Sequence, residues 1–449
     1  MPTADVAVVG AGLAGLTTAV RLAEHGARVV VLAKGNGAIH WAGGPLDVAV
    51  APGAESPVAG VRELAGRAGH PYALLADDVG PAIAWFTDLV AAAGLAHAGS
   101  LEQPFRALPT GLGGTRPVAL VPESQAAALD PWAPDERLVV AGPAGFKDFW
   151  PRAVAASLGH PGTWGRLGHP DRVEGVAVEL PDLAARRNVN ALRISELFDE
   201  PGWRRSSLDR IARAVDATGG GSLRVGLPAL LGCKDHAAVL HDARERLGRP
   251  VIELPIVPPG IPGIRLYDVL RAALRSRGGR LLLGESITRV ETRGDRVEAV
   301  ATSAASRELV TRVGAVVLAT GGLTGGGLLG DPDGRLVETV LGLPVEGPPI
   351  DRWITGNPLD PGSMPVAVAG LRTDDELRPV DPTDPAAGAR FENVRVVGGM
   401  LAGQRYLVER CGDGVSLASA WRVAESLSAT PPAAGSRSGR RAAATGGSR

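Results

Sequence analysis

Apolar residues fill Val6–Val9 without interruption, recur at Leu13, Leu16, Val20 and Leu22 with Ala19 and Ala23 beside them, and fill Val29–Leu32 again. Short unbroken runs predict buried strands, and the helical spacing between them predicts an amphipathic helix that Gly26 closes. The unit reads strand, turn, helix, strand. A second such region predicts a helix from Leu266 to Arg277, a stop at Gly278-Gly279, and strands at Arg280–Leu283, Ile287–Thr292 and Arg296–Ala301. A buried strand at Val316–Leu318 follows, and the pattern closes with a strand at Val394–Val397 and a helix at Val415–Leu427. Residues 79–250 are less regular, mixing a helix near Leu208–Ala217 with a strand near Leu223–Leu227. The class is α/β, with an insertion.

The turn after the first strand carries Gly10, Gly12 and Gly15. In the G-x-G-x-x-G spacing the first glycine permits the tight turn, the second admits a phosphate, and the third lets helix and strand pack. Leu13 and Ala14 then offer helix N-terminal N–H groups to an anion. One part of the fingerprint is missing. The second strand of such units ends in Asp or Glu, which binds the ribose hydroxyls of an adenosine, whereas here Ala33-Lys34 follow. Alanine offers no acceptor and lysine only donates. Three ligands stay open: FAD held without that contact, NADP with its 2′-phosphate on Lys34, or FMN with its one phosphate on the turn.

Composition narrows the field. The chain has 449 residues, 45% of them hydrophobic, and a formal net charge of −1. That is enough for two or three domains, and it gives no basic field for nucleic acid. No run of about 18 apolar residues is free of breaks, so no membrane span is predicted and a cytoplasmic location is the expectation. With only Cys233 and Cys411, the chain lacks the roughly four thiolates of an iron–sulfur cluster. No metal centre is expected, and one-electron wiring must belong to a partner. From Thr430 onward Ala, Gly, Ser, Pro and Arg dominate, which predicts a disordered tail.

Three more glycine clusters follow predicted strands or open predicted helices. Thr320-Gly321-Gly322 ends one strand, Gly398-Gly399 ends another, and Gly412, Asp413, Gly414 and Val415 open the last helix. Small residues there let backbone lie against a flat ligand, and a helix N-terminus presents partial positive charge. Asp413 is read either as the cap of its own helix or as an acid beside the ligand, and Asp47 as a turn residue or a ligand contact.

In this order the clusters resemble the two-dinucleotide-binding-domain flavoproteins, and the helix-strand-strand segment before ATGG resembles their fumarate reductase and succinate dehydrogenase branch. A closer likeness rests on "GNGAIHWAGGPLDV" (35–48), "HPYALL" (70–75), "GFKDFW" (145–150), "PPGIPGIRL" (258–266), "GLRTDDELRP" (370–379) and "RCGDGV" (410–415). This ordered set resembles the B-subunit family of anaerobic glycerol-3-phosphate dehydrogenases, from about Asp5 to Ser428.

The resemblance implies a Rossmann-like FAD/NAD(P)-binding fold with an inserted α+β cap domain. Its expected map is a flavin-binding domain in three parts (1–78, 251–342 and 373–429), a cap at 79–250, a cap-related segment at 343–372 and the tail at 430–449. It implies FMN as cofactor, with FAD as the alternative, and a phosphate-bearing alcohol as substrate. The expected partners are an FAD-containing catalytic chain of the A type and an iron–sulfur chain of the C type, through which alone the protein meets the inner membrane. Two other functions stay open: a self-contained FAD-dependent fumarate reductase-like oxidoreductase, and a non-catalytic flavin-binding assembly subunit. Gly43 and Gly44 lie in the segment that in related flavoproteins runs along the flavin ring, as does His40, the candidate base. Arg265 and Arg405 are candidates for the phosphate. The plainer reading makes His40 a hydrogen-bonding loop residue and each arginine an ion-paired one. Trp85, Trp132, Trp150, Trp164 and Trp203 are expected to fill the core of the cap.

Overall fold

A computed structural model describes residues 3–160, 162–183, 189–304, 307–357, 360 and 362–429. The apolar run near the N-terminus forms β1 (Thr3–Val9), whose Val6, Ala7, Val8 and Val9 are all buried. Burial on both faces explains why this strand does not alternate. It lies parallel to β2 (Val29–Ala33) on one side and to the end of a long strand, Arg307–Leu318, on the other. The helix α1 (Leu13–Glu24) crosses between β1 and β2. Its Leu16, Ala19, Val20 and Leu22 are buried, and the helix lies against the C-terminal helix Gly412–Ala429.

The remaining strands complete this sheet. Arg280–Leu283 extends it beyond β2 in parallel. The long strand is shared: its last residues pair in parallel with Val394–Val396, while its first half pairs antiparallel with Arg296–Ala304, which in turn pairs with Ser286–Arg293. The predicted elements are present, several of them starting earlier than expected. The helix expected from Leu266 spans Ile261–Ser276, because Pro262 in the first turn suits a helix start. The helix expected from Leu208 spans Pro201–Asp216 for the same reason.

The insertion has its own core, built from residues between Ala107 and Ile261. Its main sheet runs Val251–Leu254, Leu223–Pro228, Arg137–Pro143, Arg172–Val178, all parallel. Strands alternate with helices here, so the unit is more regular than the α+β mixture expected; its antiparallel pairs are short, Arg106–Pro109 with Thr115–Val118 and, around that hairpin, His97–Gly99 with Leu120–Pro122. The boundary expected at residue 79 is corrected. It would cut the helix Tyr72–Ala91, whose Leu75, Val79, Ile83 and Phe86 belong to the first core. Leu343, Val366 and Leu371 also belong to that core, so the segment 343–372 is not part of the cap. The tail expected at 430–449 lies outside the described residues.

The tryptophans divide unequally. Trp132, Trp164 and Trp203 pack in or against the second core, whereas Trp85 packs against the first beside Trp421. Trp150 is corrected: it is 61% exposed, its indole N–H donating to the Lys147 carbonyl.

Candidate functional site

A cavity of about 610 Å³ opens at the carboxyl ends of the parallel strands, where the two units meet, the place at which open α/β sheets take ligands. Gly10, Gly12, Leu13 and Ala14 of the first turn line it, with Lys34, Gly43 and Gly44 after β2. Thr320, Gly321, Gly322, Gly399 and Gly412 line it from the far side. Gly10 has φ +116°, and a side chain there would overlap the Ala319 carbonyl. Glycine is therefore required both by conformation and by the approach of two strand ends.

Four residues expected at the ligand do not line the cavity. A Cβ on Gly15 would overlap the Gly10 carbonyl, so its role is to seat α1 on the turn. Gly398 has φ +66°, packs on Ala14 and donates its N–H to Ser419 Oγ. Gly414 packs on the Tyr72 hydroxyl, and Val415 is buried in the first core.

Neither candidate catalytic residue lines the cavity. The His40 ring sits edge-on against Tyr267, with centroids 4.7 Å apart, and does not line the cavity. Burial holds its pKa below the ordinary value. Arg265 is 3% exposed and commits both terminal nitrogens to Glu253, at 2.8 and 3.0 Å, with Nε donating to the Gly232 carbonyl at 2.7 Å. Glu253 ends the inserted sheet and Arg265 sits on Ile261–Ser276, so the pair clamps one unit to the other. Arg405 likewise pairs with Glu409, at 3.4 Å.

The chemistry in the cavity comes from residues that spacing did not single out together. Asp47 accepts the N–H groups of Asp413 and Gly414 on its carbonyl, both at 3.1 Å, and donates its own N–H to Asp413 Oδ2 at 2.8 Å. Its carboxylate is paired with Arg116 from the hairpin of the insertion. Asp413 therefore does not cap its own helix as one reading had it; its carboxylate is spent on the neighbouring loop. Burial, and then the nearby Asp47 charge, raise the Asp413 pKa well above the usual carboxylate range, with Arg116 opposing. Arg410, in the left-handed region at φ +43°, lies close enough to feel Arg116 and Asp47.

Glu285, Ser286 and Ile287 form the wall beyond β2. The signal of Glu285 in the sequence is an acid one glycine beyond the Arg280–Leu283 strand. Three buried polar atoms on the cavity residues, Thr320 Oγ1, Glu285 Oε2 and Arg116 Nε, have no partner among the described residues. Unpaired buried polar atoms are uncommon and mark places that a ligand or water satisfies. With the glycine cradle, these residues fit a flavin nucleotide.

His70, Glu409 and Cys411 form a buried group of possible metal ligands. The Tyr72 N–H donates to His70 Nδ1 at 3.1 Å, so in the neutral ring Nε2 carries the proton, 3.5 Å from Glu409 Oε2. Burial pushes the Glu409 carboxyl up, but His70 and the Arg405 N–H hold it at about 2. The group is an ion-pair network, and its imidazole has no free lone pair for a metal.

Comparison with known proteins agrees with this geometry. The FAD binding domain family model matches residues 5–415. The B subunit of anaerobic glycerol-3-phosphate dehydrogenase from Yersinia enterocolitica is 31% identical over 436 residues, 94% of this chain and 97% of its own. The probable B subunit from Halobacterium salinarum is 32% identical over 93% of this chain and 96% of its own. The solved 3-ketosteroid Δ1-dehydrogenase of Sterolibacterium denitrificans is 13% identical, covering 96% of this chain and 100% of that one with a TM-score of 0.42. The chain therefore belongs to the FAD binding domain family and, within it, to the B-subunit family of anaerobic glycerol-3-phosphate dehydrogenases.

Proposed function

We propose that this chain is the flavin-bearing subunit of a quinone-linked glycerol-3-phosphate dehydrogenase, acting in the oxidation of sn-glycerol 3-phosphate to dihydroxyacetone phosphate. The observation that carries the reading is the end-to-end likeness to the family's B subunits, joined to a nucleotide-sized cavity that meets Arg116 and Asp413 at the seam of the two units. Gly10, Gly12, Leu13 and Ala14 would hold the flavin's phosphate, and Thr320, Gly321, Gly322, Gly399 and Gly412 would flank its ring. A bound flavin supplies a hydride acceptor for the alcohol carbon. Arg116 offers the substrate phosphate a planar, permanently charged fork, with Arg410 behind it. Asp413, its carboxyl raised to about 7, is partly ionised at neutral pH and in that form could accept a proton from a hydroxyl. The family's description favours FAD over the FMN first expected.

Partners of the A and C types would carry electrons onward and bring the chain to the inner membrane from the cytoplasmic side. Among the described residues no helix is long and apolar enough to cross a membrane. A second reading has support of its own: among the described residues no histidine lines the cavity, which favours a chain that relays electrons while the partner oxidises the alcohol. Anaerobic addition of sn-glycerol 3-phosphate to the flavin-loaded chain, alone and with its partners, separates the two. Bleaching of the flavin alone supports oxidation here, and bleaching only with partners supports the relay. A flavin that is never reduced in the complex refutes both. Arg116→Ala is expected to raise KM about tenfold or more with unchanged flavin content, as loss of a charged hydrogen bond would.

A further inference from the structure

The fingerprint lacks its acid at Ala33, yet an acid reaches the same end of the sheet from the next strand. Ala33 pairs with Leu283, and two residues on the Glu285 N–H donates to the Ala33 carbonyl at 3.1 Å. The Glu285 side chain is 9% exposed, lines the cavity shared with Gly10 and Gly12, and leaves Oε2 without a donor. We infer that Glu285 supplies the ribose contact missing from β2, so that the cavity holds the adenosine half of FAD. The inference deepens the flavin reading above and rests on it.

The chemistry selects among the three ligands left open. A ribose diol presents two O–H donors, which a carboxylate accepts in strong charge-assisted bonds. FMN ends at the phosphate and would leave Glu285 Oε2 buried and unpaired, a costly state. A 2′-phosphate within reach of Lys34, which also lines the cavity, would still set like charge against the buried Glu285 carboxylate. Moving the acid from one strand to its neighbour keeps the contact while freeing position 33.

The test weighs the chromophore released on denaturing the full chain, then titrates the flavin-free protein with FAD and with FMN by flavin fluorescence. FAD is the expected chromophore. Glu285→Ala is expected to weaken FAD about 10–100-fold and leave FMN within about twofold, since only the adenosine contact is lost. Glu285→Gln, which keeps the volume, guards against a folding defect and is expected to weaken FAD selectively by a smaller factor. Adding Ala33→Glu to Glu285→Ala is expected to recover part of the FAD affinity by restoring the usual acid. Release of FMN, or equal loss of both flavins in both Glu285 variants, overturns the inference while leaving the flavin reading intact. A chain that takes up neither flavin overturns the flavin reading itself.

Discussion

Replacing Glu253 by Gln leaves the buried Arg265 guanidinium facing an amide N–H₂ in place of a carboxylate. Glu253 is fully buried and accepts four hydrogen bonds: two from Arg265, one from Ser124 Oγ at 2.7 Å and one from the Leu231 N–H at 2.8 Å. Burial alone would push its carboxyl up, but the Arg265 charge, His236 and these donors hold it at about 2, against an ordinary 4.5. At about 1.36 kcal/mol per pH unit, this difference corresponds to about 3 kcal/mol of stability. Breaking buried ion pairs by removing one member costs about 3–5 kcal/mol, a consistent range.

The carboxylate is depressed in the folded state, so its contribution is complete above pH 4.5 and is lost as pH falls toward 2. Glu253→Gln is therefore expected to lower stability by about 3 kcal/mol at pH 7, a drop of about 6–12 °C in Tm for a unit of 150–250 residues. The deficit shrinks on acidification. Scanning calorimetry and urea titration measure it, and the paired Glu253→Leu, Arg265→Met variant is expected to recover most of it, because the uncompensated charge is gone. A loss under about 0.5 kcal/mol at pH 7 refutes the argument. So does an Arg265→Lys variant of native stability and no activity, which would restore Arg265 to the chemistry.

Gly10→Ala forces a left-handed backbone on alanine and drives its Cβ into the Ala319 carbonyl; flavin content per purified chain is expected to fall about tenfold, at a stability cost of about 1–3 kcal/mol, and normal loading would refute the turn's role. Asp413 has its pKa raised, so above pH 3.8 the folded chain keeps a proton that the unfolded chain has lost, and stability falls as pH rises through this window. Asp413→Asn is expected to match wild type near pH 3 and to exceed it by more than about 1 kcal/mol at pH 8, as thermal melts across that range would read.

The sequence alone determined the elements of the flavin-binding unit and their order. Runs such as Val6–Val9 and Val316–Leu318 have no polar alternation because both faces are covered, so local pattern and structure agree. The glycine turn was equally legible, since its strand, spacing and helix are all local. Most of the predicted glycines do line the cavity for that reason. The insertion was less legible: its strands are parallel partners separated by whole helices, and no local signal tells which pair, nor that Tyr72–Ala91 belongs to the other core.

Only the tertiary structure decided which side chains meet. His40 and Arg265 had suitable chemistry, but helix packing turned one onto Tyr267 and the insertion's edge strand captured the other. Arg116 and Asp47 are 69 residues apart and Asp47 and Asp413 are 366 apart; the docking of three segments joins them. Glu285 shows the limit most clearly. On β2 itself the sequence offers no acid, only Ala33-Lys34. Register between strands is set by distant pairing, and it brought the carboxylate to the vacant end of β2 from next door.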